Sequence, residues 1–580
     1  MKYFLATTGI SDSWDTDRDI LLLGPWCIPA GGDKNIVRGK SYAVVPSPWK
    51  NADKIKEAGN YAQSIYKETL PVLAQRLNLL HNVSHDLKYW RVILGPWLFH
   101  FIEVLYDRYM RIMNVLEVYP DFITRVVPQE ACSLSCRDTH DFLSLGGKVC
   151  DDWYNLKLFS FIINCLCPEK AIAIDFKTSN QPNAGKSSIS YRKNLLEALK
   201  NVYDRLMPGS IVLSDMYNLS FFDILLLEFQ LNIRVRKFIP IKPQPVEEKG
   251  ICGIRDQLIF DNSSSNDFIG LLYKVLPLAI PDTYIEHYKT YKKNAVSGRR
   301  VKIAGSAVGW YFNEEFKFFA AEASTNGAKL IEFQHGGGYG MSLSVPAEFI
   351  ALEKDVFYTW GGGYTDKKAE SLPSPHLSRL KNTALLKSDD FLFIGTTTHR
   401  YVSSFFSGLL PDDMDKYFNH KNEFFNSLSG QALAKIKYFP YRECGWREKE
   451  RIGRAFPYME LILNGSLAEK MKKAALVIVD NLSTTFIESL AINVPSIFYW
   501  DHDIFAIRPE VEEYFALLHD ASILYKDPLS AARKVNEICD DPYRWWGDKK
   551  VQKAINIFCD KFAADSADWP KKWAEVLNGN

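Results

Sequence analysis

A chain of 580 residues exceeds what one hydrophobic core usually serves, so we expect two domains. Its 70 basic and 69 acidic residues leave a net charge of +1, which excludes a general electrostatic attraction to nucleic acid or to an anionic membrane. The 10 cysteines lack the paired spacing of a zinc site, the first apolar run is too short for a signal peptide, and no run is long enough to span a bilayer, so we expect a reduced, cytoplasmic protein without a bound metal.

Short apolar runs that are typical of buried strands alternate with helical patterns along the chain. In the first half the predicted strands lie at 3–8, 19–24, 170–176, 210–215 and 233–238. In the second half they lie at 300–306, 329–335, 356–361, 390–396, 435–440, 475–480 and 496–500. Continuous apolar strands alternating with helices predict parallel sheets that are covered on both faces. The fold class is therefore α/β, with two Rossmann-like halves.

Two segments are candidate domain boundaries. Residues 239–250 are rich in proline and charge, and residues 288–300 are basic and polar. We prefer the second, because a strand and a new alternation begin directly after it. This gives an N-terminal domain over 1–295, a C-terminal domain over 296–555 and a terminal helix over 556–580.

In the first half, the predicted strand at 210–215 ends in an acid. The carboxylate of Asp215 at a sheet edge suits a nucleophile or general base towards a substrate held by the facing half. A cap for the next helix is the alternative interpretation.

A histidine and three glycines follow the predicted strand at 329–335. They are His335, Gly336, Gly337 and Gly338. Glycines at the carboxyl edge of a sheet let peptide N–H groups approach a phosphate or carboxylate, and an imidazole can donate to an oxygen. A tight turn with unusual backbone angles is the alternative. The pattern is not a P-loop, because the Lys-Ser/Thr pair is missing.

Two further loops of the second half are polar where they follow predicted strands. Their candidate donor-binding residues are Thr397, His399 and Arg400 in one loop, and Arg442 and Trp446 in the other. An arginine beside an aromatic ring suits the phosphate and base of a nucleotide. A solvated helix start explains the second loop nearly as well.

The most distinct local pattern covers residues 475–500. A predicted strand ends, three hydroxyl side chains follow at Ser483, Thr484 and Thr485, and Glu488 stands three residues after the last of them, the spacing of a capping box. Asn493 suits a left-handed helix end. A helix start at the carboxyl edge of a parallel sheet offers free N–H groups to an anion, and hydroxyls beside it suit a phosphate. A well-capped structural helix is the alternative.

Five motifs carry a resemblance to a known family. They are "LGPWC", "YWRVILGPWL", "FQHGGGYG", "ECGW" and "DNLSTTFIESLAINVPSIFYWD". Together they resemble surface-polysaccharide and O-antigen transferases of the GT-B class, which are similar to bacterial capsule Kdo transferases and to retaining pseudaminic acid transferases. The resemblance implies two Rossmann-like domains that face each other across a cleft, with the terminal helix returning to the N-terminal domain.

The resemblance also implies roles for the candidate residues. Ser483, Thr484 and Thr485 would bind the phosphate of CMP, with Glu488 near the ribose. His335 and the glycines would line the cleft at the sugar, and Asp215 would be the catalytic carboxylate. Two positions depart from the family pattern: Asn493 replaces a glycine, and "KYFPYREC" lacks the histidine of a Lys-x-His-Pro loop.

The implied reaction is the transfer of an ulosonic or nonulosonic acid, pseudaminic acid ahead of Kdo, from a CMP-activated donor to a bacterial surface polysaccharide. It requires no metal and no cofactor beyond the donor itself. A lipid-linked acceptor would bring the protein to the cytoplasmic face of the inner membrane. The alternatives are a CDP-polyol phosphotransferase of the teichoic-acid type and a noncatalytic assembly protein that kept the fold.

Overall fold

The computed structural model describes residues 3–28, 42–128, 133–174, 210–231, 235–238, 253–260, 267–295, 301–381 and 388–579. Within these ranges the strands form three sheets, and all strand pairs in the sheets are parallel. The boundary candidate at 239–250 lies outside the described residues, as do residues 296–300 of the other candidate.

The first sheet has the strand order β3-β2-β1-β4-β5. Its strands are β1 (Tyr3–Ala6), β2 (Asp19–Leu22), β3 (Tyr42–Val44), β4 (Phe122–Val126) and β5 (Ala171–Ala173). Its helices are α1 (Ala52–His81), α2 (Leu87–Val118), α3 (Thr139–Leu143) and α4 (Asp152–Leu166). The long helices α1 and α2 pack against each other, and each begins with a side chain, Asn51 or Asp86, that accepts a hydrogen bond from a backbone N–H of its first turn.

The second sheet has the order β11-β10-β9-β8-β6-β7. Its strands are β6 (Ile211–Ser214), β7 (Val235–Lys237), β8 (Ile303–Ser306), β9 (Lys329–Phe333), β10 (Val356–Thr359) and β11 (Ala369–Ser371). The helices in this part are α5 (Phe221–Leu231), α6 (Phe268–Ala279), α7 (Tyr288–Ala295), α8 (Gly309–Phe312), α9 (Glu314–Thr325), α10 (Pro346–Ala351) and α11 (Pro375–Lys381).

The third sheet has the order β14-β13-β12-β15-β16-β17. Its strands are β12 (Phe391–Ile394), β13 (Ile436–Phe439), β14 (Glu460–Leu461), β15 (Leu476–Val479), β16 (Ser496–Tyr499) and β17 (Leu524–Tyr525). The helices after β12 are α12 (Met414–Asn426), α13 (Gly430–Lys435), α14 (Glu448–Ala455), α15 (Leu467–Lys473), α16 (Thr484–Ile492), α17 (Glu512–Asp520), α18 (Pro528–Glu537), α19 (Pro542–Trp546), α20 (Lys549–Phe562) and α21 (Trp569–Gly579).

The hydrophobic cores show how the sheets are grouped. One buried cluster joins the first sheet and α2 to helices of the second sheet, through Trp97, Phe101, Trp310 and Phe316 among others. The third sheet has separate clusters on its two faces. The first sheet is therefore built onto the second through a shared core, while the third sheet has cores of its own.

The predicted Rossmann-like α/β class is confirmed, because the parallel sheets are covered by helices on both faces. The first sheet adds a third parallel sheet to the two halves that the sequence predicts. The predicted boundary after residue 295 does not separate two sheets, because β6 before it and β8 after it pair directly.

The terminal segment predicted as one helix divides into two. Helix α20 packs on the third sheet through Ile555, Phe558 and Phe562. Helix α21 lies instead on the second sheet, where the ring of Trp573 stacks on Phe333 with 4.9 Å between the centroids. The end of the chain therefore ties the two sheets together. Among the helices that the structure describes, none combines the length and the apolar composition needed to cross a membrane.

Candidate functional site between the second and third sheets

The candidate site lies where the carboxyl ends of strands in the second and third sheets meet. The loop after β9 contacts the start of α16, because the N–H of Gly337 donates to Oγ1 of Thr484 over 2.8 Å. The loop after β6 contacts the same helix, because the hydroxyl of Tyr217 donates to Oε1 of Glu488 over 2.9 Å. Parallel α/β proteins bind ligands at these edges. The structure thus brings the predicted glycine loop and the predicted helix start together.

Close packing explains one of the three glycines. A Cβ atom at Gly337 would lie 2.5 Å from the backbone of Ser483 and Thr484. Gly338 has a φ of 88°, a conformation that side-chain-bearing residues rarely adopt. The structure therefore supports the tight turn at Gly338 and gives Gly337 a packing role against α16. The approach of peptide N–H groups to a charged ligand stays a prediction.

We expect Gly337→Ala to lower the free energy of unfolding by about 1–3 kcal/mol, because the new methyl group must push the loop away from α16. Urea unfolding measures the change. Gly453→Ala in α14 is the control, since no atom lies within 4 Å of a Cβ there and the substitution should cost nothing. Equal stability of Gly337→Ala and the wild type would mean that the loop does not pack on α16 in solution.

His335 is half-buried and held by its neighbours. The hydroxyl of Tyr339 lies 3.2 Å from Nδ1, and the ring also bonds to the backbone of Ala307. Burial lowers the pKa of His335 to about 4, although the bond to Ala307 raises it. The imidazole is therefore neutral near pH 7, and its role at the sheet edge is that of a neutral hydrogen-bonding group.

Asp215 lies at the end of β6 and is exposed. Its backbone is left-handed, with a φ of 43°. Ser214 Oγ donates to Oδ2 over 2.6 Å, and Asn313 Nδ2 donates to the same oxygen over 2.8 Å. Among the described residues Oδ1 has no hydrogen-bond partner. The carboxylate is thus held by one oxygen while the other is available to a ligand.

The alternative interpretation of Asp215 as a helix cap is wrong. Helix α5 is capped by Ser220 and Asp223, whose side chains each accept a hydrogen bond from the backbone N–H of the other. Because this pair satisfies the start of the helix, Asp215 is not needed there.

The predicted capping box at Glu488 is also wrong. The helix begins at Thr484, with Ser483 as the N-cap residue and no side-chain capping bond. Glu488 is the fifth helical residue, beyond reach of the N-cap amide. The hydroxyls of Ser483 and Thr485 are therefore not used for capping. The predicted left-handed helix end at Asn493 is confirmed by a φ of 59°.

The guanidinium of Arg400 is directed towards the first sheet. It donates to the carbonyl of Trp26 and lies 3.5 Å from Oδ2 of Asp152. Both partners belong to the first sheet and its helices. Arg400 therefore anchors the loop after β12 to the first sheet, a sheet that the sequence did not reveal as separate.

The two loops of the third sheet are joined to each other. The indole N–H of Trp446 donates to the carbonyl of Thr398 over 2.9 Å, and the ring is buried in the core. Trp446 therefore offers no ring face to a base, contrary to the predicted pairing with arginine. Tyr441, 46% exposed, is the aromatic side chain that this loop presents, beside the exposed Arg442.

Two buried polar atoms of the loop after β12 have no hydrogen-bond partner among the residues that the structure describes. They are Oγ1 of Thr397 and Nδ1 of His399. Burial lowers the pKa of His399, so that its ring is neutral near pH 7. Buried polar groups are normally satisfied by protein, water or ligand, so these atoms are suited to a bound molecule.

Sequence reasoning missed a buried charged network beneath these loops. Lys421 Nζ in α12 lies 2.6 Å from Glu448 Oε1 and 3.7 Å from Asp480 Oδ2. The hydroxyl of Tyr417 donates to Asp480 and accepts the N–H of Thr396, and Glu448 accepts the N–H of Tyr441. The network thus fixes the starts of three loops. The sequence gives no indication that Lys421 is buried, because a lysine in a polar helix is usually exposed.

The arrangement has two chemically distinct sides. The second-sheet edge carries the oriented carboxylate of Asp215, and the third-sheet edge carries a helix start with the hydroxyls of Ser483 and Thr485. Within the described ranges, no group of three or more His, Cys, Asp or Glu side chains is arranged to hold a metal ion. The cleft is suited to an anionic ligand bound through hydrogen bonds.

Parallel sheets whose carboxyl edges meet at polar loops define the protein as a Rossmann-like α/β protein. The chain belongs to the LIC12162 family of transferases, whose model matches residues 3–577. It is a transferase.

Solved structures give weak similarities. The chain is similar to Acinetobacter baumannii MurG (11% identity, 64% of this chain and 100% of that chain, TM-score 0.32). It is also similar to the wall teichoic acid polymerase TagF (10% identity, 66% of this chain and 92% of that chain, TM-score 0.31). A third similar structure is an S. aureus TarM mutant in complex with fondaparinux, alpha-GlcNAc-glycerol and UDP (10% identity, 48% of this chain and 55% of that chain, TM-score 0.32). The match thus spans about half of the TarM chain. No curated protein sequence matches. Because the TM-scores are low, the fold assignment rests on the sheet order.

Proposed function

We propose that this transferase is a glycosyltransferase that moves an ulosonic or nonulosonic acid, pseudaminic acid ahead of Kdo, from its CMP-activated donor to a bacterial surface polysaccharide. The observation that carries the proposal is the contact between the loop after β9 and the start of α16, which sets the second-sheet edge that bears Asp215 against a helix start. A carboxylate and an anion site on facing edges are what a retaining transfer from a nucleotide ester requires.

In the proposed reaction, Oδ1 of Asp215 attacks the anomeric carbon while the bond from that carbon to the CMP phosphate oxygen breaks. Ser214 and Asn313 orient the carboxylate through Oδ2. CMP leaves with the bonding electron pair and a sugar ester of Asp215 remains. The oxygen of an acceptor hydroxyl, which gives its proton to solvent, then displaces the carboxylate, so that two inversions retain the configuration.

The third sheet would stabilise the departing phosphate. The N–H groups at the start of α16 and the hydroxyls of Ser483 and Thr485 are available to it, because the side chain of the N-cap residue, Ser483, makes no capping bond within the described structure. Thr397 and His399 would satisfy their buried polar atoms on the donor, and Tyr441 and Arg442 would contact the nucleotide from the next loop. His335 and Gly336 line the same edge without adding a charge.

A thermal-shift panel of CMP, CDP, UDP, GDP and ADP tests the proposal. A ligand present at about a hundred times its dissociation constant stabilises the folded state by about 2.7 kcal/mol, so we expect CMP to raise Tm by about 2 °C for a chain of this length. A shift with CDP in place of CMP would support a CDP-polyol phosphotransferase, and a response to none of the nucleotides would support a noncatalytic assembly protein.

A pair of threonine variants localises the effect. We expect Thr485→Val to reduce the CMP shift, because it removes a hydroxyl at the start of α16 while keeping the shape of the side chain. Thr325→Val, at the exposed end of α9, is the control and should respond to CMP like the wild type. If CMP raised the Tm of Thr485→Val as much as that of the wild type, the phosphate would not bind at the hydroxyl of Thr485.

A further inference from the structure

Glu488 is held by two side chains from the second-sheet part of the molecule. The hydroxyl of Tyr217, in the loop after β6, donates to Oε1 over 2.9 Å. Nε2 of His376, in α11, lies 2.8 Å from the same oxygen. The rings of Tyr217 and His376 meet edge to face, with 5.5 Å between their centroids. The three side chains thus form a clamp between the second and third sheets.

The clamp leaves half of the carboxylate unused. Glu488 is only 7% exposed, both bonds go to Oε1, and among the described residues Oε2 has no partner. A carboxylate oxygen without a partner can accept a hydrogen bond from a ligand hydroxyl. Because His376 and Tyr217 fix the side chain, Oε2 is presented in one orientation.

The position of Glu488 also fits a ligand that begins at the helix start. Glu488 lies four positions after Thr484, which is about 6 Å along a helix axis at 1.5 Å per residue. That span is comparable to the distance from the phosphate of a nucleoside 5′-monophosphate to its ribose hydroxyls. A phosphate at the start of α16 would therefore bring a ribose to the level of Glu488.

We propose that His376 and Tyr217 are positioning residues of the nucleotide site, which hold Glu488 through Oε1 so that Oε2 accepts a hydrogen bond from the 2′-hydroxyl of a ribonucleotide. The inference rests on the proposed nucleotide-dependent function. It assigns a role to His376, which belongs to none of the sequence motifs. Its consequence is that preference for ribose over deoxyribose depends on a residue that itself touches no nucleotide.

Calorimetric titration with CMP and with 2′-deoxy-CMP tests the inference. We expect the wild type to bind CMP about tenfold more tightly, the effect of one hydrogen bond to a charged group. His376→Ala should reduce this ratio to near one by weakening CMP binding, while the affinity for 2′-deoxy-CMP stays the same. His376→Gln should restore most of the ratio, because its amide can donate to Oε1.

Tyrosine variants supply a matched comparison. Tyr217→Phe should lower the ratio like His376→Ala. Tyr364→Phe is the control, because the Tyr364 hydroxyl makes an equivalent 2.8 Å bond to a glutamate, Glu348, away from this clamp. We expect Tyr364→Phe to keep the wild-type ratio.

Several results would overturn the inference. A His376→Ala variant that keeps the wild-type ratio would show that Glu488 needs no clamp. A His376→Ala or His376→Gln variant that loses both nucleotides equally would give His376 a structural role only. A wild type that binds both nucleotides equally would overturn the inference alone, whereas a wild type that binds neither would overturn the proposed function with it.

Discussion

Replacing Asp215 by Asn is expected to lower kcat for sugar transfer by about 10³-fold or more, while nucleotide affinity and the fold stay intact. Asparagine keeps the size of the side chain and an oxygen that Ser214 and Asn313 can bind, but its amide is not a nucleophile. The left-handed backbone, with a φ of 43°, is also one that asparagine adopts readily. The loss should therefore be confined to the chemical step.

Initial rates with CMP-pseudaminic acid and with CMP-Kdo, measured with a surface-glycan acceptor, check this result. Glu370→Gln, an exposed acid in the edge strand β11 of the same sheet, is the matched control and should transfer like the wild type. Thermal unfolding in parallel shows that both variants fold. Full transfer by Asp215→Asn would exclude Asp215 as the nucleophile.

Replacing Lys421 by Met is expected to lower the free energy of unfolding by about 3–5 kcal/mol at neutral pH. Lys421 is fully buried and pairs with Glu448 at 2.6 Å, with Asp480 at 3.7 Å. Removing the ammonium group leaves two buried carboxyl groups without their cation, and the three loops that the network holds lose their common support. Urea unfolding measures the loss, and nucleotide affinity should fall with it.

The loss should depend on pH. Burial raises the pKa of Asp480, and Lys421 opposes this shift. A carboxyl whose pKa is raised on folding favours the folded state at low pH, and that contribution is lost as the pH rises through the folded-state pKa. Without Lys421 the pKa rises further, so Lys421→Met should be less damaging at about pH 5 than at about pH 8.

Five titratable side chains surround Asp480. They are Lys421 and Tyr417 of α12, Tyr438 of β13, Glu448 of α14 and Tyr499 of β16. Each of the tyrosine pKa values is raised by burial, so the tyrosines stay neutral over this pH range. The pH dependence should therefore come from Asp480.

A surface lysine provides the control for Lys421. Lys437 of β13 also lies near two carboxylates, Asp390 and Glu460, at 3.1 and 3.2 Å, but all three side chains are partly exposed. Exposed ion pairs contribute about 1 kcal/mol or less, so Lys437→Met should cause a small loss. Similar losses for the two variants would mean that the buried network does not stabilise the third sheet.

The sequence determined the local elements well, because strand formation here follows from continuous apolar runs. Every predicted strand is present. The missed strands are mostly short edge strands, namely β3, β11, β14 and β17, which bury too few side chains to leave an apolar run. The remaining missed strand, β4, has an apolar run that Thr124 and Arg125 interrupt.

The sequence also located the loops at the carboxyl ends of the strands, because a parallel sheet places all of these ends at one edge. It indicated Asp215, the glycine loop and the start of α16 for this reason. What it did not determine was which side chains face the cleft. Trp446 is buried and Arg400 turns to the first sheet, and neither direction follows from the residue type.

Only the tertiary structure decided the long-range contacts. The pairing of β6 with β8 joins strands on both sides of the predicted domain boundary, and the contact of Gly337 with Thr484 joins residues nearly 150 positions apart. The clamp of Tyr217 and His376 on Glu488 and the network of Lys421 have the same character. Apolar periodicity indicates which side of a helix or strand is buried. These polar contacts depend instead on how separate sheets pack against each other, which the whole fold determines.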